Sequence, residues 1–516
     1  MIVQLRVRKN SYQDSVKLMR ISQLVKASPG VLGASAIMGT DNNKRTLIRG
    51  GFDPALMTGA GPSDILVLVD ASTEELAEGA LDRYFALLDE NAATGADRKT
   101  AVRTMKAACA ALSGANIAFI SVPGEFAAYE AHKALRAGLH VHLFSDNVPI
   151  EDEIRLKELG RRLGLLVMGP DCGTALIGGA PLGFANVVAR GPIGIVGASG
   201  TGVQQVAVLV DRCGSGISHA IGLGGRDLSD RVGGISALMA LDALEQDQAT
   251  RVIVVISKPP ESATGEKILK RIRACGKPVV VAFLGGDPAL LKSAEHGAET
   301  LEEAARMALE LAGVQRPPGE EAEARLLALI DGRPKVGARE GSSLRGLFTG
   351  GSLAEEARLI LAAMLGPLQS NGSKNPAWMV AGSDLLEGDA IIDMGDDEFT
   401  VGRPHPMIDP SYRAERLFKE WSDPRVAVIL CDLVLGYGSH PSPATPVAEA
   451  VERARSVYGD VVTVVASVCG TEGDPQGLSA QEAILREAGV LVLPTNAQAA
   501  RAAGNLVRRL AGGRVS

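Results

Sequence analysis

A segment rich in glycine and hydroxyl residues, Gly197-Ala198-Ser199-Gly200-Thr201-Gly202, is the clearest candidate for chemistry in this sequence. It follows a short apolar run at 193–196, typical of a buried strand, and precedes an apolar-periodic stretch at 203–212, typical of a helix. The first N–H groups of such a helix have no partner within it, and the helix dipole favours negative charge there. We therefore predict that Ser199, Gly200 and Thr201 bind an anion, most simply a phosphate. An ordinary turn is the alternative.

A second glycine-rich segment follows at once. The run at 218–221 is typical of a strand and leads into Gly222-Leu223-Gly224-Gly225-Arg226-Asp227. Because glycine lets the backbone approach a ligand closely, we predict that Gly224, Gly225 and Arg226 also bind the ligand. A purely structural turn between a strand and a helix, without a ligand, is the alternative here too.

The whole pattern occurs twice along the chain. The first copy reads IGIVGASGTG, HAIGLGGRDL, RVIVVISKPPES and KPVVVAFLGGDP, and the second reads LRGLFTGGSLAEEA, IIDMGDDEFTVGRPHP, RVAVILCDLVLGYG and VVTVVASVCGTEGDP. Gly350, Gly351 and Ser352 are the second copy's counterpart of the first loop. Two open-sheet domains that pack pseudo-symmetrically would turn their loop ends towards one shared site. Coincidental similarity between α/β sequences is the alternative.

Arg403 and His405 form the sharpest polar pair outside these loops, and prolines 404 and 406 follow each of them. A guanidinium binds carboxylates and phosphates through a planar fork. An imidazole transfers protons near neutral pH. We therefore predict catalytic roles for both residues. The alternative is an ion pair between Arg403 and Asp409, with His405 capping a turn.

Length and composition limit the class of protein. With 516 residues the chain is too long for one hydrophobic core, and its alternating strand and helix patterns predict an α/β fold with doubly wound parallel sheets. A net charge of −7 argues against nucleic acid as a partner, and no apolar run is long enough to span a membrane. The six cysteines are scattered without a CxxC pair, as in reduced cytoplasmic proteins, and we predict no metal site.

Several of these motifs resemble a known enzyme. GPDCGTALIG (169–178), GIVGASGTG (194–202), AIGLGGRDL (220–228) and VVAFLGG (280–286) resemble the α subunit of succinyl-CoA ligase. The segment at 122–153 is similar to the second half of that subunit's CoA-binding domain, and 344–494 is similar to the ligase domain of the β subunit. The arrangement, with GRPHPMIDP at 402–410, resembles FdrA-type proteins of the acyl-CoA synthetase superfamily.

The resemblance implies a domain order. We expect a small α/β unit at 1–90, a Rossmann-like domain of CoA-binding type at 100–190, and two flavodoxin-like domains of succinyl-CoA ligase type at 191–314 and 343–516. A linker at 315–342 joins the last two. Pro123 and Asn147 follow strands of the Rossmann-like domain, at the edge where such sheets bind ligands, so we predict that they contact a cofactor.

The resemblance also suggests a third histidine. The ligase carries a phosphorylated histidine in a Gly-His-Ala-Gly context, and this chain has Glu295-His296-Gly297-Ala298 near the corresponding place. Imidazole is both a nucleophile and an acceptor, so His296 is a candidate catalytic residue. A surface position is the alternative, because the ligase's supporting glutamate segment is replaced here by Ser257-Lys258-Pro259-Pro260-Glu261.

The resemblance implies an enzyme subunit that handles an acyl phosphate or carbamoyl phosphate, such as a subunit of oxamate carbamoyltransferase in oxalurate and allantoin breakdown. The substrate would be a small acid or amide, and we expect other protein subunits as partners. Coenzyme A use and homo-oligomerisation are left open. One alternative is an ADP-forming CoA ligase that needs a separate ATP-grasp subunit, since this chain has no such domain. Another is a non-catalytic ligand-binding scaffold.

Overall fold

The computed structural model describes residues 2–512, apart from 12, 14, 27, 41–42, 45–46, 49–52, 94–101, 103, 315–340, 374, 382–385 and 401–403. The chain divides into two compact units, residues 1–104 with 400–404, and residues 105–399 with 405–516. Most of the predicted linker at 315–342 lies outside the described residues, and so does Arg403. The predicted domain boundaries stay a prediction.

The first unit contains a small antiparallel sheet, and the helices α1 and α2 pack against it. Its strands take the order β1-β3-β2. Strand β3 is buried on both faces, because Ile65, Val67 and Val69 pack against the helices while Leu66 and Leu68 pack against a short 3-10 turn. The elements are β1 (Ile2–Arg8), α1 (Ser15–Lys26), β2 (Val31–Met38), the 3-10 turn (Pro54–Met57), β3 (Ile65–Ala71) and α2 (Glu74–Ala93).

The second unit begins with a parallel sheet of three strands in the order β4-β5-β6. The parallel pairing is the one that the alternating strand and helix pattern predicted. The elements are α3 (Met105–Ala111), β4 (Ile117–Ile120), α4 (Gly124–Arg136), β5 (His140–Leu143), α5 (Ile150–Leu163) and β6 (Val167–Met168).

A seven-stranded sheet follows, in the order β13-β12-β11-β9-β10-β7-β8. Five of its strands are parallel, and the hairpin β7–β8 is added antiparallel at one edge beside β10. The sequence patterns did not predict this hairpin. The elements are β7 (Thr174–Ile177), β8 (Ala180–Gly183), β9 (Ile193–Gly197), α6 (Gly200–Arg212), β10 (Ile217–Gly222), α7 (Ile235–Gln246), β11 (Val252–Ser257), α8 (Ser262–Arg273), β12 (Val279–Phe283), α9 (Pro288–Lys292), β13 (His296–Gly297) and α10 (Leu301–Leu311).

The last sheet is parallel and has six strands in the order β15-β16-β14-β17-β18-β19. Its strands are nearly continuous apolar runs, as expected for a parallel sheet covered on both faces. The elements are β14 (Ser343–Phe348), α11 (Gly351–Leu365), β15 (Gln369–Ser370), β16 (Ala390–Asp393), α12 (Asp397–Thr400), α13 (Ser411–Ser422), β17 (Val426–Val434), α14 (Ala444–Tyr458), β18 (Thr463–Cys469), α15 (Leu478–Glu487), β19 (Leu491–Leu493) and α16 (Asn496–Gly512).

The two larger sheets repeat one arrangement. The order β13-β12-β11-β9-β10 in the first matches β19-β18-β17-β14-β16 in the second, which confirms that the repeated sequence pattern encodes a repeated fold. Helices α6, α10, α11 and α16 supply residues to one continuous core shared by both halves, including Val206, Leu309, Leu353 and Ala503. This shared core fixes the position of one half against the other.

Candidate functional site

The first loop, between β9 and α6, is a capped helix start. Ser199 is the residue before the helix, and its Oγ accepts the N–H of Gly202 at 3.0 Å. The N–H of Ala198 donates to the Ile256 carbonyl oxygen at 2.9 Å. Two N–H groups of the loop are therefore used within the protein. The N–H groups of Gly200 and Thr201 remain as the donors that the helix itself cannot satisfy.

The second loop, between β14 and α11, differs from the first because a carboxylate already occupies it. Asp432 of β17 is fully buried, and its two carboxyl oxygens accept the N–H of Thr349 at 2.7 Å and that of Gly350 at 2.8 Å. Arg413 lies 3.3 Å from the same carboxylate and balances its charge. The N–H group of Gly350, which we predicted to bind a ligand, is thus used by the protein itself.

The two loops touch each other. Ser199 Oγ and Ser352 Oγ share a hydrogen bond. A Cβ on Gly350 would lie 2.9 Å from Thr201 Cγ2. In each contact, the residue immediately before one helix meets the second residue of the other helix. Ser199 meets Ser352 in the first contact, and Gly350 meets Thr201 in the second. The two contacts are therefore equivalent and are related by a pseudo-twofold axis. The structure therefore brings all six predicted loop residues to one junction, where α6 and α11 begin.

His405 lies near this junction and is neutral. Its Nδ1 accepts the N–H of Met407 at 3.2 Å, so the ring proton resides on Nε2. Burial lowers the pKa of His405 to about 4. A Cβ on Gly395 would lie 2.6 Å from Nε2 and 3.2 Å from Asp393 Oδ1, so these two side chains converge on one point. The predicted partner Arg403 lies outside the described residues.

The alternative ion pair of Arg403 with Asp409 involves a residue outside the described ones, Arg403. The hydrogen bonds of Asp409 itself are described. Its Oδ1 accepts the N–H of Ser411 at 3.0 Å and the Ser411 hydroxyl at 2.5 Å, at the start of α13. Asp409 thus binds the first residue of α13, whose N-cap position is Pro410.

The loop after β10 is packed against protein groups. Gly224 has a φ of +79°, and a Cβ there would lie 2.1 Å from the Pro170 carbonyl oxygen, so close packing requires glycine. Arg226 donates to the Val148 carbonyl oxygen at 2.7 Å and lies 2.9 Å from Glu153 Oε2. These contacts tie the loop to the three-stranded sheet's domain. Gly225 has more space, and ligand binding by this loop stays a prediction.

Pro123 and Asn147 lie at the carboxyl edge of the three-stranded sheet. Pro123 immediately precedes α4, and Asn147 is exposed with a φ of +53°. A Cβ on Gly124 would lie 2.3 Å from the Asp146 carbonyl oxygen, so the two loops are in direct backbone contact. Their position agrees with the edge at which parallel sheets bind ligands, and their role stays a prediction.

His296 is in the edge strand β13, where it pairs with Val280, and its Nε2 is 3.8 Å from Glu295 Oε1. Three strand spacings separate β13 from β9, or about 14 Å across the sheet. His296 is therefore not at the junction of α6 and α11.

Sequence reasoning missed two carboxylates, Asp393 and Asp432. The run IIDMGDD held a signal for Asp393, which is an acidic residue at the end of an apolar strand. Asp432 lies inside an apolar strand and gave no local signal. Within the described ranges, no group of three or more His, Cys, Asp or Glu side chains is suited to a metal ion. None of the helices described combines the length and hydrophobicity that crossing a bilayer requires.

Comparison with known proteins identifies the family. A model described as CoA-ligase matches residues 347–506, and one described as CoA binding domain matches 189–285. The Escherichia coli (strain K12) protein YahF, described as uncharacterized, is 40% identical over 496 residues, which are 95% of this chain and 96% of YahF. This chain belongs to the YahF-like branch of the succinyl-CoA ligase-like superfamily.

Other proteins are similar to this chain at lower identity or over a smaller part of its length. The subunit alpha 2 of an ADP-forming succinate–CoA ligase from Archaeoglobus fulgidus is 32% identical over 180 residues, which are 34% of this chain and 61% of that subunit. ATP citrate lyase from Methanothrix soehngenii, solved with citrate and coenzyme A, is 13% identical with a TM-score of 0.37, and the match covers 80% of this chain and 85% of that one. The CoA-binding match, 189–285, overlaps the segment at 191–314 that we predicted as the first ligase-type domain, and it shares only residues 189–190 with the segment that we predicted as the CoA-binding-type domain.

Residues 1–104 match a model described as AllF, heavy metal-associated domain. Soft heavy metals prefer thiolate, thioether and imidazole ligands. This segment contains neither cysteine nor histidine, which leaves methionine as its soft ligand type. The segment is thus similar to that domain but lacks the thiolate and imidazole ligands of a heavy-metal site.

Proposed function

We propose that this superfamily member is an enzyme subunit that binds an acyl phosphate or carbamoyl phosphate where α6 and α11 begin, and that it serves in oxamate carbamoyl transfer. The observation that carries the proposal is the contact between Ser199 and Ser352, which brings two helix starts together. Helix starts that converge in this way concentrate N–H donors and positive potential at one place.

The chemistry follows from the groups at this junction. The N–H groups of Gly200 and Thr201 would hold phosphate oxygens, and the hydroxyls of Ser199 and Ser352 would exchange their mutual hydrogen bond for bonds to the ligand. The neutral His405, with its proton on Nε2, would donate to a carbonyl or phosphate oxygen. Donors that are fixed before the reaction stabilise the negative charge that develops during acyl transfer.

An ADP-forming CoA ligase is the second candidate, and the matches to CoA-binding and CoA-ligase models support it. Coenzyme A supplies a thiol acceptor when bound. Among the described residues, the element directly before β4 is helix α3, and the N–H groups of Gly200 and Thr201 would be the donors that hold one of the coenzyme's phosphates. A ligase of this kind would need phosphoryl transfer through His296 and an ATP-grasp partner. A non-catalytic scaffold is the third candidate.

Calorimetric titration of the purified chain separates these candidates. We expect binding of phosphate and carbamoyl phosphate, and no ADP formation from ATP, succinate and coenzyme A by the chain alone. Acid-labile phosphate on His296 in the presence of an ATP-grasp subunit, lost in His296→Gln, would instead favour the ligase. Ligand binding without turnover under any partner combination would favour the scaffold.

A further inference from the structure

The carboxyl group of Asp393 lies beside the start of α11. Asp393 is the last residue of β16 and pairs with Phe348 of β14, two residues before Gly350. Its Oδ1 accepts the N–H of Gly395 at 2.9 Å. Its Oδ2 lies 2.6 Å from the place where a Cβ on Gly351 would stand, and it accepts no hydrogen bond from the described residues. This oxygen is therefore available to a ligand at the junction.

Asn371 holds Asp393 in place. The Asn371 side chain donates to the Asp393 carbonyl oxygen at 2.9 Å and accepts the Asp393 N–H at 2.9 Å. Because both backbone groups are tied, the carboxyl group is presented in one position, as a ligand-binding group requires.

The carboxyl group has no counterpart in the other half of the pseudosymmetric pair. The residue of the first half that corresponds to Asp393 is Gly222. Asp393 pairs with Phe348, two positions before Gly350, and Gly222 pairs with Gly197, two positions before Ser199. A Cβ on Gly222 would lie 2.3 Å from Cys172 Sγ and 2.4 Å from the Thr174 carbonyl oxygen, so the chain around β7 fills that place. The repeated fold thus forms without a carboxyl group here, and a purely architectural need does not explain Asp393.

Burial, the largest effect, raises the pKa of Asp393 to about 7. The Gly395 N–H and Lys258, at the end of β11, oppose this rise, whereas the charges of Asp396 and Asp432 add to it. His405, the remaining titratable group at this corner, stays neutral above pH 5 because burial lowers its pKa to about 4. Asp393 is therefore the group that changes charge here near neutral pH.

We propose that Asp393 binds an oxygen of the anionic ligand as a protonated carboxyl group, so that ligand binding takes up a proton. This rests on the proposed function, which places an oxyanion at the junction. A protonated carboxyl donates a hydrogen bond to a phosphate-like oxygen, whereas a carboxylate only accepts and repels it. A carboxylate that merely complemented the dipole of α11 would act in its ionised form, and ligand binding would then take up no proton there.

Sulfate is the probe that tests this, because it resembles phosphate and does not itself titrate near neutral pH. Calorimetry at pH 7 in two buffers of different ionisation enthalpy measures proton uptake, and we expect about half a proton per sulfate bound. Between pH 7 and 8.5 the affinity of the wild type should fall about 16-fold in total, with the fall per pH unit growing from about threefold towards tenfold as the pH rises. Asp393→Asn should bind sulfate with no such pH dependence. Glu387→Gln, the control, should keep it, because Glu387 is exposed ahead of β16 and does not shift the pKa of Asp393.

Each other outcome is decisive. Sulfate binding by the wild type without proton uptake, or an unchanged pH dependence in Asp393→Asn, would overturn the role of Asp393 and leave the anion site standing. If the wild type binds no sulfate at any pH from 5.5 to 8.5, the anion site fails and this proposal fails with it. Should Asp393→Asn not fold, the uptake measured on the wild type decides alone.

Discussion

Ser199 and Ser352, which are 153 positions apart in the chain, share a hydrogen bond between their hydroxyl groups. Each stands at the beginning of a helix, and the second contact, of Thr201 with Gly350, repeats the first across the pseudo-twofold axis. A reciprocal pair of this kind is what two similar halves form when they pack on the same surface patch. The junction is thus a consequence of the tandem repeat.

The close approach of Thr201 to Gly350 predicts that any side chain at position 350 lowers the unfolding free energy. Gly350 has a φ of −109°, which alanine adopts freely, but its Cβ would lie 2.9 Å from Thr201 Cγ2. We expect Gly350→Ala to destabilise the protein by about 1–3 kcal/mol through overpacking, as measured by thermal or chemical unfolding. Gly372→Ala is the matched control, since its Cβ would meet only Ser370 Oγ, at 3.7 Å. Equal stability of the two variants would mean that the halves are not in contact here.

The buried contacts of Asp432 predict that its replacement lowers the unfolding free energy more than Gly350→Ala does. Replacing it with alanine would leave Arg413 buried without its carboxylate and would free the N–H groups of Thr349 and Gly350. Removal of one partner from a buried ion pair costs about 3–5 kcal/mol, so the unfolding free energy of Asp432→Ala should fall by that amount. Glu482→Ala, which breaks the exposed pair with Arg486, should change it by about 1 kcal/mol or less. A comparable effect of both would refute this account of the second loop.

Glu356 predicts a pH dependence of stability. It is buried between α10, α11 and α16, accepts the Leu301 N–H at 2.7 Å, and has its pKa raised from 4.5 to about 7, mainly by burial. Because Glu356 ionises at a higher pH in the folded state than in the unfolded state, the free energy of unfolding falls as pH rises from about 4.5 to about 7. Glu356→Gln removes this loss, and glutamine already stands at the counterpart position, Gln205.

The melting temperature of Glu356→Gln relative to wild type should therefore rise between pH 5 and pH 8. Glu310→Gln, on the exposed side of α10, serves as the control and should show no such trend. A constant difference between Glu356→Gln and wild type across this range would show that Glu356 ionises at its ordinary pKa.

The sequence predicted the repeated fold because its cues are local: apolar runs mark buried strands, and glycine with serine marks the loops that follow them. The position of Ser199 at the start of a helix followed from the same cues, whereas its hydrogen bond to the Gly202 N–H is seen only in the structure. Asp432 was not predictable, since its partners Thr349, Gly350 and Arg413 come together only when strands pair. The hairpin β7–β8 was missed because its antiparallel pairing with β10 breaks the parallel alternation. Ligand contact by Gly224 stays a prediction, and backbone packing against Pro170 is by itself enough to require glycine there.

Titration of phosphate and carbamoyl phosphate into loop variants tests the central claim most directly. Ser199→Asp keeps a good helix cap but places a negative charge where the anion would bind. Gly200→Val would crowd the N–H donors of the loop, since even a Cβ on residue 200 would lie 3.1 Å from Thr174 Oγ1. Loss of one charge-assisted hydrogen bond weakens binding by about tenfold or more, so we expect at least that in both variants. Ser262→Asp, at the start of α8, should bind as the wild type does. Unchanged affinity in both folded loop variants would contradict an anion site at the junction of α6 and α11.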